Sequence, residues 1–167
     1  MAYLIDMTRP SLEILVDLIN KENPGSLLKP EWVTVASGYP KDVSYQGKDT
    51  QTILNAKKGT PLFGSTTFYY NRIRLDLHTA GLSLNIPSDP KYKTSFDVLP
   101  LVLQQLGVRL ETYDVVYENI IPDAQGNYTL RIASKSLMYK GSIKSAAAGA
   151  SVFTGASIKY LDGFYKP

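Results

Sequence analysis

Two segments of the chain place apolar residues at helical spacing. In the first, they recur every three or four positions from Leu12 to Ile19, which predicts a helix with one apolar stripe. Thr8 is predicted to cap this helix, with Pro10 in its first turn, where the missing N–H has no partner to lose. Asn23 and the residues after it are predicted to end the helix.

The second helical segment has apolar residues from Val98 to Leu106. Thr94 or Asp97 is the predicted cap. Gly107 follows the last apolar position, where a glycine readily adopts the left-handed conformation that ends helices.

A strict alternation marks the clearest predicted strand, residues 64–77. Ile73, Leu75 and Leu77 are apolar, whereas the residues between them are charged, which predicts one buried face and one solvated face. Residues 82–86 alternate in the same way.

Other strands are predicted around this one. Residues 50–57 are expected to form a hairpin with 64–77, and residues 32–36 a short strand before it, with a polar loop at 38–47. The remaining predicted strands are 115–121, 128–133, 137–144 and 157–161, followed by an aromatic tail at 164–167.

The order of a helix followed by strands occurs twice, and matching residues recur at matching spacing. Leu28, Val33 and Pro40 are spaced like Leu110, Val115 and Pro122. Similarly, Thr52, Ala56 and Gly64 are spaced like Thr129, Ala133 and Gly141. The pattern predicts an α+β fold class of two pseudo-repeated helix-plus-hairpin units; the alternative is two coincidental units of the same kind.

Pro87 and Pro90 interrupt the chain near its middle and mark the boundary between the predicted halves, 1–86 and 91–167. A chain of 167 residues suffices for one domain with its own core, and we expect residues 1–167 to form a single structural domain.

Composition excludes several classes of protein. The hydrophobic fraction of 44% predicts a folded chain, and a net charge of +3 is too small to indicate nucleic-acid binding. The absence of cysteine excludes disulfides and thiolate metal sites. No basic segment opens the sequence, so no signal peptide is expected, and no apolar run approaches the roughly 18 residues of a membrane span.

The charge is unevenly distributed. Residues 86–122 are acidic on balance and residues 123–167 are basic. This asymmetry favours either head-to-tail contact between copies or simply solvated strand faces.

Candidate catalytic chemistry is sparse. His78 is the one histidine, and Asp76 shares its strand face, which predicts a surface carboxylate–imidazole pair rather than a catalytic one. No glycine-rich phosphate loop occurs. The sequence therefore predicts no catalytic, no cofactor-binding and no metal-ligating residue, and no cofactor.

The 12 tyrosines are the most distinctive part of the composition. Tyr69 and Tyr70 beside Arg72 and Arg74 resemble a platform for single-stranded nucleic acid. Adjacent strand residues point to opposite faces, however, so only one tyrosine can join the arginines, and sheet packing or a protein interface is favoured. For Trp32, a core position is favoured over a sugar platform.

Four segments carry a resemblance to a known family. They read LVDLIN at 15–20, LKPEWV at 28–33, GSTTFYYNRIRL at 64–75 and LDGF at 161–164. Together they resemble a group of virion structural proteins from large tailed bacteriophages, which often encode several related copies. The resemblance covers most of the chain and brings no functional residue with it.

The resemblance implies a bacteriophage virion structural protein, a head, neck or tail component that acts by protein–protein assembly and is not an enzyme. The expected partners are other virion proteins and copies of the chain itself, with no nucleic acid, membrane or small molecule. The expected location is the virion, after synthesis in the host bacterial cytoplasm. The alternative is a carbohydrate- or receptor-binding module in which Trp32 or Tyr113 stacks on sugar, and an enzyme that relies on His78 ranks last.

Overall fold

A helix near the amino terminus, α1 (Ser11–Glu22), opens the fold in the computed structural model, which describes residues 4–146. The carbonyl oxygen of Pro10 accepts hydrogen bonds from the backbone N–H groups of Glu13 and Ile14 at 3.0 and 3.1 Å. The predicted cap at Thr8 is wrong, because its hydroxyl donates to the carboxylate of Asp6 at 2.6 Å instead. Of the predicted apolar stripe, Leu15, Leu18 and Ile19 are buried and Leu12 is partly buried.

The first sheet is built around one long strand. It contains β1 (Val33–Val35), β2 (Lys41–Tyr45), β3 (Lys48–Ala56) and β4 (Ser65–Tyr70). All pairings are antiparallel: β4 lies along one side of β3, and β1 and β2 pair with opposite ends of its other side. The predicted hairpin of residues 50–57 with the start of 64–77 is confirmed.

Strand β2 occupies the segment that the sequence indicated as a polar loop. Gln46 and Gly47 both have positive φ, 49° and 74°, and together form the tight turn between β2 and β3. Two positive φ angles in succession are typical of the two-residue turns that match the twist of a hairpin. The loop prediction was wrong because five mostly polar residues at a sheet edge lack an apolar alternation.

The clearest predicted strand, residues 64–77, ends earlier than expected. After β5 (Ile73–Arg74) the chain forms one helical turn, α2 (Leu75–His78), so the strand does not continue to Leu77. Leu75 is fully buried, whereas Leu77 is 63% exposed. The predicted alternation fails here because a helical turn places neighbours three or four apart on one face.

The second helical segment forms α3 (Leu99–Leu106). Gly107 ends it with a φ of 66°, in the left-handed conformation that was predicted. The predicted side-chain cap is wrong: the carboxylate of Asp97 accepts hydrogen bonds from the backbone N–H and hydroxyl of Thr94 at 2.7 and 2.8 Å, in a turn before the helix.

The remaining strands pair across the predicted boundary between the halves. They are β6 (Leu84–Asn85), β7 (Thr129–Arg131), β8 (Tyr139–Lys140) and β9 (Ser142–Ala146). Strand β5 pairs with β8 and β6 with β9, both parallel, while β7 and β9 form an antiparallel hairpin. Residues from both halves fill one apolar cluster, whose fully buried members include Leu75, Leu84, Val102, Leu130, Met138 and Ile143.

The mixed helix and sheet content is the α+β class predicted. Of residues 115–121, only Val115 and Asn119 make isolated bridges, to Ile132 and Thr94. The predicted strand at 157–161 and the aromatic tail at 164–167 lie outside the described residues.

The two predicted units share local backbone hydrogen bonds. Each has a short 3₁₀ turn, Pro30–Trp32 and Thr112–Asp114, which leads into an extended segment. Lys57 donates to the Trp32 carbonyl and Ala133 to that of Asp114, both at 2.8 Å. Likewise, Ala56 donates to the Gly64 carbonyl and Ile132 to that of Gly141, both at 3.0 Å. The donors are offset by one residue from the predicted match, in which Ala56 corresponds to Ala133, so duplication of one ancestral unit stays a prediction.

A candidate interaction surface

The alternation of β3 separates a core face from a solvated face of the first sheet. Thr50, Thr52 and Leu54 are buried, whereas the residues between them are partly exposed. Cross-strand neighbours extend the solvated side, with Gln51 opposite Tyr69 and Ile53 opposite Thr67. We call this side the outer face; it comprises Tyr45, Gln51, Ile53, Thr67 and Tyr69, with Lys41 opposite Gln51 at its margin.

Two tyrosine rings form the centre of the outer face. The ring centroids of Tyr45 and Tyr69 lie 4.4 Å apart at an interplanar angle of 32°. The hydroxyl of Tyr69 accepts a hydrogen bond from the side-chain amide of Gln51 at 3.1 Å. Both rings keep a large exposed fraction, 47% for Tyr45 and 39% for Tyr69. Sequence reasoning missed Tyr45 because it placed the residue in a loop; the Gln46–Gly47 turn was the available signal.

The inner side of the same strands is occupied by structural hydrogen bonds. Arg72 is buried, and its guanidinium donates to the carbonyl oxygens of Ser134 and Ser136 at 2.8 and 3.1 Å and to the hydroxyl of Thr50 at 3.1 Å. It also forms an ion pair with Asp42. These bonds leave Arg72 enclosed by its own chain.

The four residues of the suggested nucleic-acid platform do not meet. Tyr70 is buried, and its hydroxyl donates to the carbonyl oxygen of Leu137 at 2.7 Å, while Tyr69 points outward. Arg72 is buried and Arg74 is ion-paired with Asp76. The preference for sheet packing over nucleic-acid binding therefore agrees with the position of Tyr70.

A half-buried carboxylate beside Arg72 ties the first sheet to β8. Asp49 accepts hydrogen bonds from the Thr50 hydroxyl at 2.6 Å and from the backbone N–H of Arg72 at 3.1 Å, and forms an ion pair with Lys140. Burial alone raises the pKa of Asp49, but the bonds from Lys140, Thr50 and Arg72 outweigh it and lower the pKa.

A second carboxylate ties α1 to the second half of the chain. Asp114 is fully buried and accepts hydrogen bonds from the hydroxyls of Ser136 at 2.5 Å and Ser11 at 3.3 Å and from the backbone N–H of Glu111 at 3.0 Å. Burial raises the pKa of Asp114 despite these bonds. Its neighbour Tyr113 is 39% exposed, and burial together with nearby acidic groups raises the pKa of its hydroxyl to about 12.

The predicted pair of Asp76 and His78 is wrong. The carboxylate of Asp76 pairs with Arg74, and no hydrogen bond joins it to His78 among the residues that the structure describes. Burial lowers the pKa of His78. Within residues 4–146, no cluster of three or more acidic and histidine side chains is arranged to hold a metal ion.

Trp32 is half-buried at the end of the first 3₁₀ turn, so the predicted core position is only partly correct. The ammonium group of Lys29 lies 4.9 Å from the centroid of its ring system and covers one ring face. A sugar could therefore stack on Trp32 only by displacing Lys29 or from the other side.

A groove of about 560 Å³ runs along the loop at the predicted boundary. Its walls are formed mainly by Ile86, Pro87, Pro90, Tyr92, Ile120, Pro122 and Tyr128. Two polar groups at its rim are already paired: Asp89 with Lys91 at 3.1 Å, and the Tyr128 hydroxyl with Glu118 at 3.0 Å. The groove offers apolar contact without a convergent set of polar groups to orient a small molecule.

These features define a small α+β protein with an exposed, tyrosine-bearing sheet face. Within residues 4–146, no helix reaches the length and apolar character that a bilayer crossing requires. The chain belongs to a family of unknown function (DUF7941), whose model matches residues 6–146. No curated protein and no solved structure matches the chain.

Proposed function

We propose that this protein is a non-enzymatic structural subunit of a bacteriophage virion, a head, neck or tail component that acts by protein–protein assembly. Its partners are other virion proteins and copies of the chain itself. The observation that carries the proposal is the outer face, where Tyr45 and Tyr69 lie exposed and pack against each other.

The chemistry of the outer face suits contact between proteins. Tyrosine buries a large ring at little conformational cost while its hydroxyl stays hydrogen-bonded, and tyrosine is enriched in protein interfaces. Gln51, Ile53 and Thr67 carry no formal charge, so covering these three residues does not require the desolvation of an ion. Lys41, opposite Gln51 on β2, adds one positive charge at the margin of the face.

Buried hydrogen bonds join distant segments of the chain, which favours a subunit whose surfaces keep one arrangement. Asp114 joins α1 to the second half of the chain, and Arg72 joins the first sheet to the segment before β8. A subunit that packs repeatedly in a particle benefits from such internal ties, because interfaces lose affinity when their surfaces must first be ordered. The resemblance of residues 15–20, 28–33 and 64–75 to virion proteins of tailed phages agrees with this role.

Mass spectrometry of purified particles, from cultures infected with the phage that encodes the chain, tests the proposal. We expect the protein at a stoichiometric level, at several copies per particle, after particles are separated from lysate proteins in a density gradient. Its absence from the particles would refute the virion role.

Variants of the outer face test how the protein is incorporated. The double variant Tyr45→Ser, Tyr69→Ser should reduce the copies per particle at least about tenfold, because loss of two interface tyrosines commonly costs more than 1.4 kcal/mol. Leu27→Ser is the matched control: it removes an 81% exposed apolar side chain from a loop away from the sheet and should leave incorporation unchanged. Equal incorporation of the double variant and the control would show that another surface makes the contact.

A carbohydrate- or receptor-binding module is the second candidate, and the outer face supplies its one supporting observation. Exposed aromatic rings beside an amide, as in Tyr45, Tyr69 and Gln51, are groups that sugars contact. The tyrosine rings lie against each other, however, which leaves less open ring face than a sugar platform needs. Selective binding of the purified protein on a glycan array, abolished by Tyr69→Ser, would favour this candidate over assembly.

A further inference from the structure

In the part of the chain that the structure describes, strand β4 is an open edge of the first sheet. Among residues 4–146, β4 pairs with β3 and with no other strand. The hydrogen bond from Ala56 to the Gly64 carbonyl sets the alternation of the ladder, so every second residue from Gly64 onward directs its backbone groups toward β3. The backbone N–H and C=O groups of Ser65, Thr67 and Tyr69 consequently face away from β3 along the open edge.

The composition of β4 leaves this edge unprotected. Its sequence, STTFYY, has no charge, no proline and no glycine, and it pairs with β3 over six consecutive residues without a shift of register. Natural proteins usually protect an exposed edge with charges, prolines or bulges, because an open edge pairs readily with another strand.

The strands on the opposite side of β3 are protected in other ways: β1 has only three residues, and a very short edge strand is itself a protection. Strand β2 carries Lys41 and Asp42, and its register with β3 shifts between Asp42 and Tyr45. The contrast selects β4 as the edge that is built to pair.

We propose that β4 pairs with β4 of a second copy of this chain, antiparallel about a twofold axis at Thr67, which joins the two first sheets into one continuous sheet. This inference rests on the assembly function proposed above and names the partner of one surface. In this register Thr67 lies opposite the partner's Thr67, and Ser65 lies opposite the partner's Tyr69. All three outward-facing residues then form hydrogen-bonded pairs, with about two backbone bonds in each pair.

A second copy suits this edge better than a charged partner does. Because β4 is neutral, two copies approach the axis without like-charge repulsion. The cross-strand pairs would be threonine with threonine and tyrosine with serine, and β-branched and aromatic side chains are favourable in such positions. Twofold contacts in which a surface meets its own copy are the commonest arrangement of soluble oligomers.

Single cysteines test the register directly, since the chain contains no cysteine of its own. A hydrogen-bonded antiparallel pair places its Cα atoms about 5.5 Å apart, within the range of a disulfide. Thr67→Cys should therefore form a covalent dimer on mild oxidation, seen on a non-reducing gel of the full-length protein. Ser65→Cys is the matched control, because it lies two residues from the axis and about 13 Å along the strand from its own copy.

The relative cross-linking rates of the two cysteine variants decide the result. Cross-linking of Thr67→Cys at least tenfold faster than of Ser65→Cys supports the pairing. Equal rates for the two variants, or no cross-link in either, overturn it. Pairing of this edge with a different protein would also leave purified Thr67→Cys monomeric and would overturn the self-pairing.

A charge placed on the axis gives an independent test that keeps the fold. Thr67→Lys sets two like charges opposite each other and should raise the dimer dissociation constant at least tenfold in sedimentation equilibrium, while Thr67→Val should leave it unchanged. Circular dichroism of both variants checks that β4 still pairs with β3. A wild-type protein that stays monomeric at every concentration up to millimolar overturns the inference.

Failure of the pairing and failure of the virion role remain distinguishable. A protein found in particles whose Thr67→Cys variant does not cross-link keeps the virion role and loses the pairing. A protein that cross-links at Thr67→Cys but is absent from purified particles keeps the pairing and loses the virion role.

Discussion

The hydroxyl of Tyr70 donates a hydrogen bond of 2.7 Å to the backbone carbonyl oxygen of Leu137, across the core from the first sheet to the segment before β8. The adjacent Tyr69 points the other way, onto the outer face, where its ring packs on Tyr45. One pair of neighbouring tyrosines thus serves two different purposes, internal cohesion and external contact.

Replacing each tyrosine by phenylalanine separates the two purposes. Tyr70→Phe should lower the free energy of unfolding by about 1–2 kcal/mol, because the buried carbonyl of Leu137 loses its partner. Tyr69→Phe should change it by less than about 0.5 kcal/mol, since water replaces the exposed contact with Gln51. Urea unfolding followed by fluorescence measures both. An equal loss in the two variants would contradict the assignment of Tyr70 to the interior.

The buried carboxyl of Asp114 should make the stability of the fold depend on pH. Because burial raises its pKa, the folded state keeps a proton on this carboxyl to a higher pH than the unfolded state does. The contribution of Asp114 to stability is therefore fully present below the unfolded pKa of about 4 and is lost as the pH rises through the folded pKa. Asp114→Asn removes this titration, so the variant should gain stability relative to the wild type as the pH is raised from 4 to 7.

The free energies of unfolding of wild type and Asp114→Asn must be subtracted at each pH. Asp49 has a lowered pKa, so its own contribution to stability changes with pH in the opposite direction. Asp114→Ala is the control for shape and hydrogen bonding: it leaves the Glu111 N–H and two serine hydroxyls without their acceptor and should cost about 2–3 kcal/mol. A stability difference between wild type and Asp114→Asn that does not change with pH would mean that Asp114 titrates normally.

Arg72 and Arg74 lie two residues apart in the sequence, but Arg72 is buried whereas Arg74 is exposed. Arg72→Met removes a buried cation that donates to two backbone carbonyls and should cost about 3 kcal/mol or more. Arg74→Met breaks only an exposed ion pair with Asp76 and should leave the unfolding midpoint nearly unchanged. Chemical denaturation of the two variants side by side is the measurement, and a similar loss in both would refute the structural role of Arg72.

Gly64 and Gly141 occupy corresponding positions in the two hairpins, with φ of 78° and 89°. An alanine side chain at Gly64 meets nothing within 4 Å, whereas at Gly141 its Cβ would lie 2.2 Å from a carboxylate oxygen of Asp76. Gly64→Ala should cost about 1 kcal/mol for the left-handed backbone alone. Gly141→Ala should cost more, because the Asp76 side chain must also move away from Arg74.

A second substitution checks the cause of the excess. In an Asp76→Ala background, the cost of Gly141→Ala should fall to that of Gly64→Ala, as thermal unfolding of the four variants would measure. If the excess persists without the Asp76 carboxylate, the steric explanation fails and another feature of the second hairpin is responsible.

Local pattern predicted the elements whose contacts are local. The helical spacing of Leu15 and Leu18 and the left-handed Gly107 depend on residues within one or two turns, and both were read correctly. The hairpin of β3 and β4 was also predicted, because its strands alternate and are adjacent in sequence. The same reasoning failed at Leu75–His78, where apolar and charged residues also alternate but the chain turns into a helix.

The candidate site was predicted only in part. Alternation alone requires Tyr69 and Tyr70 to point in opposite directions, but which of the two is buried depends on Leu137, 67 residues further along. The ring partner of Tyr69 lies on β2, a strand whose polar sequence carried no periodic signal. The sequence around Tyr69 and Tyr70 therefore predicts neither the contact with Leu137 nor the contact with Tyr45.

The sequence by itself determined the α+β class, the two helices and the central hairpin, because apolar periodicity decides which face of an element avoids water. Only the tertiary structure decided the parallel pairing of β5 with β8 and of β6 with β9 and the burial of Arg72 and Asp114. Those features depend on partners that lie from 22 to 103 residues apart in the chain, and which partners meet is set by how the whole core packs.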